Sequence, residues 1–164
     1  YNSAVYIDRG RIDRYHKTHV HWTEIFDAGD TFPVFGKGLD TTGILICYDM
    51  AFPEAARVLA LGGARIIAVI AAVPKSFDER YVRRRLASMA LDNQVYVVFA
   101  NRAGRDYNGH SMVLDPSGDV IAWAGEKEEV LRTEIDFEFL EHWRKEEAIF
   151  SQRRPELYRL LAKP

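Results

Sequence analysis

Three short and almost unbroken apolar runs, residues 43–47, 65–73 and 95–100, constrain this chain more than any other feature. A strand with one wet face alternates polar and apolar residues; a run without alternation reads as a strand covered on both faces, the habit of parallel sheets. Parallel neighbours need crossovers, and the segments between the runs supply them. Pro53 suits a first helical turn, with Ala55, Val58 and Leu59 as an inward stripe and Gly62-Gly63 as a stop. Ser76-Phe77-Asp78-Glu79 has capping-box spacing ahead of a second helix whose inward face is Val82, Leu86, Met89 and Ala90.

Around this centre the texture is β. Residues 2–7 and 11–16 read as a hairpin turned at Gly10, and residues 112–114 and 120–122 as another through Asp115-Pro116-Ser117-Gly118. Residues 130–135 read as a further strand, and Asp136 as the cap of a helix carrying Leu140 and Trp143. No repeat or linker interrupts the chain, so residues 1–164 are expected to form one layered α/β domain. The first strand begins almost at Tyr1, which is expected of the second part of a larger unit.

Composition excludes whole classes. Apolar residues are 48% and charged residues 28%, which fits neither disorder nor a fibre. The net charge of −2 offers no footprint for nucleic acid or an anionic membrane. The longest apolar run, residues 66–73, is 8 residues, against the ~20 of a spanning helix. One cysteine cannot make an internal disulfide and no signal segment opens the chain, so a cytoplasmic setting is expected.

That cysteine, Cys47, ends an apolar strand and precedes a helix, whose free N–H groups favour an anionic sulfur, the attacking form. The competing reading is a small buried hydrophobe. Lys17 and Glu24 taken alone read as surface residues. His16, His19 and His21 invite a metal, but no third spaced ligand follows, so no metal is expected. Gly109-His110-Ser111 opens like a nucleophile elbow, yet Val113 stands where glycine is required. Cys47, His110 and Asn101 are the residue types of a papain-like triad without its local signature. Arg80, Arg83, Arg84 and Arg85 read as a solvated helix face, Gly36-Lys37-Gly38 as a turn, and residues 72–78 as a pocket wall or an ordinary strand-to-helix connection.

Taken together, the segments resemble the nitrilase superfamily of carbon–nitrogen hydrolases. Tyr15-His16-Lys17-Thr18-His19 is similar to the family's Y-R-K-x-H segment. Ile46-Cys47-Tyr48-Asp49-Met50-Ala51-Phe52-Pro53-Glu54 is similar to its C-Y-D-x-R-F-P-E segment, with Ala51 in place of arginine. Weaker matches follow in order: Asp92-Asn93-Gln94 (Asp92 for the usual glutamate), Ala100-Asn101-Arg102-Ala103-Gly104, and Arg153-Arg154-Pro155-Glu156.

The resemblance implies a four-layer α-β-β-α sandwich, here an incomplete unit, paired into homodimers or larger homo-oligomers and needing no cofactor. It implies Cys47 as nucleophile, Lys17 as the cation beside the developing oxyanion, and Glu24 as the glutamate that orients the lysine and substrate. The Tyr48 backbone N–H is the natural second oxyanion donor. The implied reaction is hydrolysis of a small-molecule amide through a thioester, with an N-carbamoyl compound or a nitrile as alternatives on the same machinery. The family's first catalytic glutamate lies well before the lysine and has no counterpart among these residues, so the 164-residue chain alone is expected to be inactive. A non-catalytic binding or assembly module of the same fold is the remaining alternative.

Overall fold

A computed structural model describes residues 1–163. β1 (Ser3–Asp8) and β2 (Arg11–His16) pair antiparallel as a hairpin. Six more strands form one mixed sheet in chain order: β3 (Val34–Phe35), β4 (Thr42–Ile46), β5 (Ile66–Ala71), β6 (Tyr96–Asn101), β7 (Met112–Leu114) and β8 (Val120–Trp123). The three apolar runs become β4, β5 and β6, which are parallel, and α1 (Pro53–Leu61) and α2 (Glu79–Asn93) are their crossovers. β3, β7 and β8 add antiparallel edges. α3 (Phe137–Glu146) follows, and the Asp136 carboxylate accepts the N–H groups of Glu138 and Phe139 as the sequence predicts.

The pleat sorts the side chains. Leu45, Ile67, Val69, Val97 and Phe99 face α1 and α2 and are buried with Ala55, Ala56, Leu59, Ala60, Val82, Leu86, Met89 and Ala90. Gly43 lets α1 approach, since a Cβ there would lie 2.8 Å from the Leu59 methyls. On the opposite face the hairpin lays Ala4 and Tyr15 against Ile44, Ile46 and Phe35. Beyond the hairpin that face is open, with Ile70 45% exposed and Ala100 exposed. The described residues thus present helices, sheet and a two-stranded layer, the α-β-β portion of the expected order. No described helix is long and apolar enough to cross a membrane.

Four local expectations need correction. β5 and β6 are covered on one face rather than both, because an apolar run records the demand for burial but not what meets it. Val58 points outward, and alanines at 55, 56 and 60 form the inward face of α1 with Leu59. Asp78, not Ser76, caps α2, its carboxylate accepting the Arg80 N–H at 2.8 Å. Residues 130–135 form no strand, and Val130 is 83% exposed; β propensity over so short a run is decided by its context.

Candidate active site

β4 ends at Ile46 and the chain turns at once into a 3-10 turn, Cys47–Ala51, with Cys47 at φ +48°. A side chain in this left-handed region costs of order 1 kcal/mol and persists only where neighbours over-determine it. Asp49 does so from beneath. It is fully buried, and its Oδ2 accepts the Ile46 N–H at 2.9 Å and the Tyr15 hydroxyl at 2.8 Å. Its Oδ1 accepts the His19 N–H at 2.8 Å and the Thr18 hydroxyl at 3.0 Å. Burial, reinforced by the Asp49 charge and opposed by hydrogen bonding to Thr18, pushes the Tyr15 phenol well up, so it remains a donor. Asp49 therefore ties the cysteine turn to the chain leaving β2.

Lys17 lies one residue past β2. Its N–H donates to the Asn2 carbonyl and its carbonyl accepts from the Gly29 N–H, each at 2.8 Å. Gly29 is required there, because a Cβ would fall 2.3 Å from the His16 carbonyl oxygen. The Lys17 side chain is 1% exposed, and its Nζ donates to Glu24 Oε2 at 2.5 Å. The same oxygen accepts the His21 N–H at 2.8 Å. Burial would raise the Glu24 carboxyl, but hydrogen bonds from Lys17 and His21 outweigh it and hold it below the usual carboxylate value. Glu24 therefore meets Lys17 as a carboxylate at neutral pH.

Lys17, Glu24, Cys47 and Tyr48 all line one cavity of about 600 Å³. Ala72, Val73, Pro74 and Phe77 line it too, with Tyr81 and Arg85 of α2. Of the two readings open for residues 72–78, the pocket wall holds for Ala72, Val73, Pro74 and Phe77. Aromatic rings fill the rim: Tyr48 stands edge-on to His21 (centroids 4.9 Å apart) and to Phe52 (5.2 Å).

Of the other candidates only His21 reaches this cavity, and the three histidines do not converge on a metal site. His16 bonds Ser3 and stacks on Tyr1, His19 contacts Asp49 and Phe52, and His21 bonds Thr23 and packs on Trp22. Asn101 braces the neighbouring loop, accepting the Val73 N–H at 2.9 Å and donating to the Gly109 carbonyl at 2.6 Å, while His110 packs on Trp123. Neither lines the cavity with Cys47.

Two residues escaped the sequence reading. Asp49 is the buried anchor, and its signal was an acid lodged between an apolar run and a helix start. Arg85 belongs to the cavity rather than to a solvated face; lying three residues after Val82 and one before Leu86, it flanks the inward stripe of α2.

The carbon–nitrogen hydrolase family model matches residues 1–145. A nitrilase of Pyrococcus abyssi is 39% identical over 169 residues, covering 96% of this chain and 63% of that protein. Omega-amidase NIT2-A of Xenopus laevis is 37% identical over 142 residues, covering 83% of this chain and 51% of its own length. Among solved structures, a carbon–nitrogen hydrolase of Helicobacter pylori superposes with a TM-score of 0.92 at 28% identity, covering 99% of this chain and 65% of that one. An amidase of Nesterenkonia sp. AN1, captured after Michael addition of acrylamide at its active-site cysteine, gives 0.81 at 26% identity, with 97% and 62% covered. The chain thus spans about half to two thirds of the length of these relatives. On the family match, the identities and the shared fold together, this chain belongs to the carbon–nitrogen hydrolase family.

Proposed function

We propose that the cavity is the acyl-transfer site for hydrolysis of a small carboxamide, with Cys47 as its nucleophile. The observation that carries this reading is that Cys47 and the buried Lys17–Glu24 pair open on one cavity.

Cys47 Sγ attacks the amide carbon; a C–S bond forms and the carbonyl π pair moves onto oxygen. The Lys17 ammonium stabilises that oxyanion, and Glu24 holds the ammonium in place. The N–H of Tyr48 opens a 3-10 turn and has no acceptor within it, which suits it as the second donor. Losing one such donor costs ~2.7–4 kcal/mol of transition-state stabilisation. Collapse breaks the C–N bond, the thiol proton ends on the departing ammonia, and a thioester remains. Water then adds its hydroxyl to the acyl carbon and its proton to sulfur, releasing the carboxylic acid. The resemblance assigns the proton relay to a glutamate upstream of Lys17, to which none of these residues is matched. A chain carrying that group should exceed one lacking it by ~10²- to 10⁴-fold.

The test is ammonia release from carboxamides of three to six carbons by the full-length natural protein, with iodoacetamide labelling of Cys47 alongside. The reading expects turnover that Cys47→Ala abolishes, and amide substrates that slow labelling. A well-folded full-length protein with an inert thiol and no turnover would overturn it in favour of the binding module.

A further inference from the structure

The stretch between β5 and α2 gives the cavity Ala72, Val73, Pro74 and Phe77, yet it belongs to no helix and no named strand. Phe77 is 51% exposed, so packing does little to fix where its ring stands. The stretch is held instead from behind, by the loop that follows β6. The Val73 N–H donates to Asn101 Oδ1 at 2.9 Å and the Lys75 N–H to the Asp106 carbonyl at 3.2 Å, while Pro74 pairs with Tyr107 as an isolated antiparallel bridge. Asn108 grips both ends. Its backbone N–H donates to the Val73 carbonyl at 2.9 Å, and its side-chain Nδ2 donates to the Phe77 carbonyl at 2.8 Å.

Asn108 itself does not line the cavity that Cys47 opens on. Its own place is fixed by the next residue: the Gly109 N–H donates to the Arg102 carbonyl at 3.1 Å, and the Gly109 carbonyl accepts from Asn101 Nδ2 at 2.6 Å. Phe77 directly precedes Asp78, the cap of α2, so the bond to its carbonyl also sets where α2 and Tyr81 enter the wall. The requirement at position 108 is chemical as well as steric. A carbonyl accepts and cannot donate, so only a donor there can hold Phe77. An aspartate of the same shape would set a carboxylate oxygen against the carbonyl, and two acceptors repel.

We infer that Asn108 is a positioning residue for this cavity: through the Phe77 carbonyl it holds residues 73–77 and the start of α2, and so sets how closely the wall bounds a substrate. The inference rests on the hydrolase reading above for the substrate and on the two Asn108 bonds for the wall. The alternative is a side chain that only fills space in its loop.

Two measurements on the full-length protein separate these, using Asn108→Asp, which keeps the shape and loses the donor, and Asn108→Ala, which loses both. The first is amide hydrogen exchange read by mass spectrometry, which needs no turnover. Residues 72–81 should exchange about fivefold faster in N108A, the scale of one lost hydrogen bond, and about tenfold faster or more in N108D, where an acceptor is left facing an acceptor. Residues 43–52, with the cysteine turn, should exchange as in wild type. The second is ammonia release from carboxamides of three to six carbons. KM should rise in the same order, more in N108D than in N108A, with kcat within about twofold of wild type, and the preference among chain lengths should narrow. A space-filling residue predicts the opposite order, with N108A harmed more than the isosteric N108D. That reversed order, faster exchange throughout the fold, or a loss confined to kcat overturns the inference. Should N108D fail to fold, N108A still decides, because unchanged exchange at residues 72–81 overturns it too. Local loosening without turnover in wild type supports Asn108 as the anchor of the wall while refuting the hydrolase reading; turnover with residues 72–81 undisturbed in both variants does the reverse.

Discussion

The two walls of the cavity are built differently. The wall carrying Lys17, Glu24 and Cys47 is dense with hydrogen bonds: beneath it Asp49 is fully buried with both oxygens occupied, and the Lys17 ammonium is sealed against Glu24. The wall of Phe77, Tyr81 and Arg85 is more open, with Phe77 51% and Tyr81 46% exposed. A wall that must hold a strained cysteine and a buried charge in one arrangement needs many mutually supporting bonds. A wall that only bounds the cavity needs shape and few polar contacts of its own. Substitutions on the first wall should therefore remove chemistry or fold, and those on the second should shift selectivity.

The largest contrast is expected at Cys47. Cys47→Ala should lower kcat by about 10⁴-fold or more, the scale of losing a nucleophile, in an ammonia-release assay with an unchanged circular dichroism spectrum. Lys17→Met should follow at ~10²- to 10³-fold in kcat, since it removes one oxyanion donor; a change confined to KM would break the contrast between the walls. Glu24→Gln should cost about 3 kcal/mol of stability in urea melts, the lower end of the range for orphaning a buried ion-pair partner, because Glu24 keeps some solvent access. The same substitution sets a pH test. Because the Glu24 carboxyl is depressed in the fold, the pair contributes fully above the unfolded carboxyl value, and its contribution is lost as pH falls through the lower folded value. The stability gap between wild type and E24Q should therefore hold from pH 7 to about pH 5 and shrink below about pH 4. At the strained turn, Cys47→Gly should be about 1 kcal/mol more stable than Cys47→Ala, since both lack the thiol but only glycine accepts φ +48° freely. The smallest effect belongs to the open wall: Phe77→Ala should raise KM a few-fold and leave kcat and the melting temperature nearly unchanged.

Much of this was legible from residue order. The parallel centre was written in the three apolar runs, because a buried strand must be apolar along its length and its crossover must carry a helical stripe. Asp136 as a cap and Asp115-Pro116-Ser117-Gly118 as a turn were legible for a similar reason: both act on atoms a few residues away. The same reasoning misjudged Val58, Ser76 and residues 130–135, where more than one local solution existed and packing chose among them. It also overstated coverage of β5 and β6, since hydrophobicity does not name the partner that buries it.

The site divides along the same line. Residue order alone determined the strand–helix centre, the cysteine at the strand end and, through the resemblance, the pairing of Cys47 with Lys17 and Glu24, because these depend on short-range pattern. Only the tertiary structure decided that Asp49 anchors the cysteine turn, that Ala72, Val73, Pro74 and Phe77 wall the cavity, and that Arg85 alone of the four arginines lines it with Cys47. Those outcomes depend on groups from separate elements meeting in three dimensions, where burial and hydrogen-bond partners, invisible in the order of residues, set what each side chain can do.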